Sequence, residues 1–187
     1  MENNQKTAGK IKYFGSIRVM VVCALLIAMS IAFGKLLAFN IGSSIRISFE
    51  NLPILMAGIF FGPLAGLAVG AGADIIGCLI VGYSINPFIT LGAALVGLTA
   101  GLFQMMTSND RKPMEIFGSV MTAHFIGSMI MKSVALYIYY EAPVPVLLTR
   151  IPLYIAIGSA EAYIIYLLSK NKGFSKLTER VRKNGRF

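Results

Sequence analysis

Charge is what this chain has least of. Of its 187 residues only 13% are Asp, Glu, Lys or Arg, while 56% are hydrophobic and the mean hydropathy is +0.73. Soluble domains carry roughly a quarter charged residues, so a soluble enzyme domain is excluded. There is one histidine, His124, and two cysteines, Cys23 and Cys78, each inside an apolar run and without CxxC or Cys/His spacing. That set cannot build a metal site, and the cysteines read as inert packing residues. Gly34-Lys35 has no upstream GxxxxG frame and is followed by Leu36, so there is no Walker A loop and no means of using ATP unaided. Basic and aromatic residues do not interleave on one face, which excludes nucleic acid as the partner of a +9 chain.

What is present is a series of long apolar runs between Ile17 and Leu168 with glycine dispersed through them. This predicts one integral membrane domain over 1–187, a multi-pass protein of the cell membrane needing no cofactor. Thirteen of the 17 basic residues fall in three short segments: Lys6 to Arg18, Arg111-Lys112, and Lys170 to Arg186. That is the positive-inside pattern, and it makes 1–16 and 170–187 basic cytoplasmic tails able to touch anionic lipid. The first run has the basic flank of a signal peptide, but its cleavage would upset this topology, so it is read as an uncut span.

Parity sets the number of crossings. Ile17–Phe39, Pro87–Met106, Met114–Tyr140 and Val146–Leu168 are each long enough to span. Phe49–Gly82 as one helix would measure about 51 Å, too long for the hydrocarbon core. Broken at Gly62-Pro63, its first half is short, roughly 20 Å. Only the broken form puts both basic ends and Arg111 on one side, and Gly-Pro suits a tight turn. The expectation is an all-α bundle of six transmembrane helices with a short second helix and both termini cytoplasmic. Three connections then face outward, at 40–48, 83–86 and 141–145, and the β-branched alternation of "NIGSSIRIS" predicts an extended lid strand.

The remaining charges lie within or beside the spans, where ionisable groups are costly and mark function by default. Asp74 and Lys132 each stand eight residues before the outer end of their helix, about 12 Å down. Arg150 lies near the outer start of the last helix, Arg46 in the first outer loop, and Asn86 beside Pro87. These groups converge on a pocket open to the outside. An alternative is that Lys132 and Asp74 simply neutralise one another. Lys35, one turn from a helix end, reads as snorkelling to the interface. Glu161 lies about 16 Å below Arg150, with helix packing and a deep polar contact both open to it.

His124 and Ser128 share a helix face, but an intramembrane hydrolase also needs an orienting group and oxyanion donors. A polar helix contact is the simpler reading. Ala24, Ala28 and Ala32, and Gly66 with Gly70, repeat small residues every four positions. Such stripes serve packing inside the bundle or docking of another membrane protein. Tyr83, Phe88 and Tyr137 to Tyr140 form either an interfacial belt or a surface for stacking on a flat ring.

The stretches "RISFENLPILMAGIFFGPLAG" and "GADIIGCLIVGYSINPFITLGAALVGLTAG" resemble the substrate-binding S components of energy-coupling-factor (ECF) vitamin transporters, most closely the folate group. The likeness runs from Arg18 to about Leu168. It implies a six-helix vitamin-capturing subunit of an ABC-type complex, not an enzyme. It also implies docking through Ala24, Ala28 and Ala32 on a coupling membrane subunit driven by two cytoplasmic ATPase subunits. With folate as ligand, Asp74 would accept from the pterin N–H edge beside Asn86, and Arg46, Arg150 or Lys132 would take the glutamate carboxylates. Tyr83 or Phe88 would stack on a ring, while Glu50 and Asn51 cap the short helix beneath the lid. Riboflavin or pantothenate is the neighbouring alternative, and an enzyme using His124 the distant one.

Overall fold

The structure is a computed structural model that describes residues 17–35, 37–41, 45–107, 112–141 and 143–183. The N-terminal basic tail and Arg111 fall outside the described residues.

Five helices are long and apolar enough to cross a membrane: α1 (Ile17–Lys35), α3 (Pro63–Val81), α4 (Pro87–Met106), α5 (Pro113–Tyr140) and α6 (Val144–Lys170). Between α1 and α3 lies the short α2 (Asn51–Phe61), and after α6 comes α7 (Lys172–Lys183). α1 buries Val19, Cys23, Leu26, Ser30 and Gly34, a stripe at spacings of three and four that turns one face to the bundle. α2 is apolar all round, and all eleven of its residues are buried.

The break expected at Gly62-Pro63 is there. Gly62 adopts φ 101, a region closed to most side chains, and Pro63 opens α3 at its first position. The two helices share this turn, yet α3 has 19 residues and α2 only 11. The start of α2 therefore stops about 12 Å short of the far end of α3. That recess is the geometric origin of the site described below.

Several boundaries differ from the sequence expectation. The first helix ends at Lys35, and Phe39 opens strand β1 (Phe39–Ile41), which pairs antiparallel with β2 (Ile45–Ile47) in the register Phe39↔Ile47. The segment expected as one extended strand is thus divided between two paired strands, because a strand alone leaves its backbone groups unpaired. β2 contacts α6. The last helix is longer than Val146–Leu168 at both ends. Residues 172–183, read as part of a charged tail, form α7, whose Phe174 and Val181 pack on the core; Phe174 meets Phe60 edge-on at 5.1 Å. Charge counting hid this apolar face, since its residues recur only at helical spacing.

α4 is the hub, packed against α2, α3 and α5. The contact works because the crossings are made of glycine. A Cβ on Gly66 would strike the Gly97 backbone and one on Gly97 would strike Gly66, while Gly70 faces Ala93 and Gly58 faces Gly97 and Gly101. The small residues of α3 therefore serve packing inside the bundle. On α1 the outcome is opposite: Ala24 and Ala28 are exposed and Ala32 is half-buried, so this stripe lies outside the bundle.

Candidate functional site

A cavity of about 40 Å³ sits in the recess above α2. Its polar lining is Ser30 and Lys35 of α1, Glu50 at the mouth of α2, Asp74 of α3 and Lys132 of α5; Ile31 and Ala93 supply apolar wall. Two carboxylates and two ammonium groups thus converge on one small space. Ionised groups at this depth require partners or a ligand.

Lys132 Nζ donates to Glu50 Oε1 at 3.3 Å, so the partner of Lys132 is Glu50 and not Asp74. The start of α2 is sunk to the level of Lys132, which brings Glu50 within reach. This overturns the expectation that Glu50 caps α2 through its side chain: Glu50 has helical φ and ψ and makes no side-chain cap bond. Its backbone carbonyl accepts instead from the Ser30 hydroxyl at 2.6 Å, tying α1 to the head of α2. Asn51 lies in the first turn of α2, buried, with Oδ1 unpaired.

Asp74 accepts from the Thr90 hydroxyl at 2.6 Å through Oδ2, and Thr90 Oγ1 also reaches the Asn86 carbonyl at 3.1 Å. This fixes the carboxylate against α4. A carboxylate has acceptor capacity well beyond one hydroxyl, so Asp74 can still receive donors from the cavity. Asn86 is used differently from the expectation. Its Oδ1 accepts from the Phe88 backbone N–H at 3.0 Å and so caps α4.

Tyr83 and Phe88 are exposed, where α3 ends and α4 begins. Lys35, half-exposed, lines the cavity, and its Nζ lies 5.2 Å from the centre of the exposed Tyr83 ring. Phe88 lies 5.5 Å from Tyr139 with rings tilted at 41°. Arg46 occupies β2 opposite Asn40, and its side chain falls outside what is described.

Arg150 does not line the 40 Å³ cavity. Its Nη2 donates to the Ser128 carbonyl at 3.3 Å and to the Tyr154 hydroxyl at 3.1 Å. Deeper in the bundle, His124 Nε2 is hydrogen-bonded to Glu161 Oε2 at 2.6 Å and Nδ1 to the Ser128 hydroxyl at 3.3 Å. His124 and Glu161 are fully buried. The polar contact expected between His124 and Ser128 is present, and Glu161, which the sequence leaves without an assigned partner, joins it. Tyr154 was missed altogether, because a tyrosine in an apolar run carries no signal of its own.

Residues 14–172 match the family model described as ECF-type riboflavin transporter, S component. A protein described as the folate transporter FolT of Clostridium novyi is 33% identical over 89 residues, 44% of this chain and 50% of that protein. An uncharacterized protein of Mycoplasma pneumoniae is 26% identical over 133 residues, 69% of this chain and 46% of that protein. The chain thus spans about half the length of the curated relatives it matches. Among solved structures, FolT bound with folic acid superposes with a TM-score of 0.67 at 22% identity, covering 81% of this chain and 92% of that one. The S component for biotin from an ECF-type ABC transporter gives 0.61 at 21% identity, covering 94% and 97%. Both show the same fold.

Proposed function

Because the chain belongs to the family of ECF-type riboflavin transporter S components, multi-pass membrane subunits and not enzymes, we propose that its cup captures folate at the outer face for uptake driven by partner subunits. The observation that carries this reading is the union of Glu50, Asp74, Lys35 and Lys132 around one cavity. A pterin offers adjacent N–H donors, which Asp74 and Glu50 can accept. The glutamate tail offers carboxylates, which suit Lys132 and Lys35 at the cup, Arg150 beneath it and Arg46 on the hairpin. Tyr83 and Phe88 offer ring faces at the rim, and Asn86 keeps its amide N–H groups for the pterin carbonyl beside that edge. The Clostridium novyi relative supports the same ligand class. Riboflavin is the second reading, favoured by the description of the family model. It has no carboxylate to use the cations.

The cup as it stands is too small. Ligands of this size occupy roughly 300–1,000 Å³, against about 40 Å³ here. Capture therefore requires the recess to widen, which parting the Lys132–Glu50 pair would allow. A ligand that brings its own donors and carboxylates compensates both partners of the broken pair. In this reading the bundle crosses the bilayer six times with both ends cytoplasmic, as one domain. The Ala24/Ala28/Ala32 face of α1 meets a coupling membrane subunit worked by two ATPase subunits.

Equilibrium binding to the detergent-purified chain, challenged with folate, riboflavin, biotin and pantothenate, tests the ligand. Folate should bind saturably and resist displacement by the other three. Displacement by riboflavin at lower concentration than by folate itself would transfer the site to the second reading.

A further inference from the structure

Beneath the cup, α5 departs from α-helical winding over His124–Met131, where it forms a π-helical segment. A π turn shifts the backbone ladder by one residue, so the return to α winding leaves a carbonyl without its helical donor. The last shifted bond runs from Lys132 N–H to the Gly127 carbonyl, and the next carbonyl, that of Ser128, is the one that accepts from Arg150. The irregularity thus creates a seat for a guanidinium from the neighbouring helix. It is anchored from below: His124, the first residue of the segment, bonds both Ser128 and Glu161. α6 can lie against the imidazole because residue 158 is glycine; a Cβ there would stand 3.0 Å from His124 Cδ2.

Tyr154 completes the seat. Its hydroxyl accepts from Arg150, the guanidinium lies 5.3 Å from its ring centre, and its ring lies 5.3 Å from that of His124. Two bonds therefore hold Nη2, while Nη1 is buried without a hydrogen-bond partner. A buried donor of a charged group left unpaired is costly, and native structures rarely keep one without a purpose. Ser128, whose carbonyl holds Arg150, lies one helical turn from Lys132, which lines the cup. We propose that Arg150 receives a ligand carboxylate through Nη1, and that Tyr154 and the His124–Glu161 pair are positioning residues that hold the guanidinium for it. This rests on the folate reading above, which supplies the carboxylate.

The test compares folate with its tail bis-amide, which keeps the pterin and loses both negative charges. Binding of each is measured on purified wild type, Tyr154→Phe, Glu161→Ala and Glu161→Gln, with thermal melting as a check on folding. A charge-assisted bond makes wild type prefer folate by about tenfold or more. Tyr154→Phe removes one oxygen and should lower that preference at least about threefold while leaving amide affinity within about twofold. Glu161→Ala should lower it too, and Glu161→Gln, which can still accept from His124, should restore most of it. If Glu161→Ala does not fold, Tyr154→Phe decides. Equal losses for both ligands, or an unchanged preference, overturn the positioning role. A wild type that binds folate without preferring it to the amide overturns the role of Arg150. A wild type that binds no folate sinks the folate reading itself.

Discussion

At the scale of single residues, the Lys132–Glu50 pair is the sharpest feature. Lys132 is buried and the Glu50 side chain is about a third exposed (32%). Removing Lys132 takes a charge-assisted bond from Glu50 in a low-dielectric recess, and the partial exposure of Glu50 softens the penalty. Lys132→Met should therefore destabilise the bundle by about 1–3 kcal/mol, read as thermal melting in detergent. Lys132→Met with Glu50→Gln should recover most of the loss, because the carboxylate that lost its ammonium is then neutral. Equal melting of the single and double variants would show that the pair is not coupled. The depth of Lys132 could be read from residue counting along its helix. Its partner could not: Asp74 lies at matching depth, and Glu50, 82 residues distant in the chain, reaches that level only because α2 starts low. The His124–Glu161 pair was hidden in the same way, by a separation of 37 residues between different helices.

At the scale of elements, glycine decides how close the helices come. Gly66 and Gly97 face one another with backbone where each side chain would be, and backbone has no rotamer with which to yield. Gly97→Val should cost at least the roughly 1–3 kcal/mol of an overpacked core. Ala24→Val, on the exposed face of α1, should leave the melting temperature of the isolated subunit unchanged. A Gly97→Val chain that melts like wild type would contradict the packing. The spans themselves were legible because length, hydropathy and the Gly62-Pro63 break each have one physical meaning in a bilayer. The π turn was not. It follows from the fit of α5 against α4 and α6, where Gly127 meets Gly92 and Val96, and no local preference announces it. The α7 helix was concealed by its own charge.

For the whole molecule, the short helix unifies the account. Sinking the start of α2 leaves a recess walled by α1, α3, α4 and α5, and the charges that a membrane protein can least tolerate are collected there. If the recess is an outward-facing vitamin site, a side chain in its wall must be reachable from outside and shielded by the ligand. Ile31 lines the cavity and belongs to none of its charged pairs. The direct test is Ile31→Cys in a chain whose Cys23 and Cys78 have been replaced, treated in intact cells with a membrane-impermeant maleimide with and without folate. The account predicts labelling from the outside that folate suppresses in a saturable way. A cysteine that reacts only from the cytoplasmic side, or reacts equally with folate present, would contradict it.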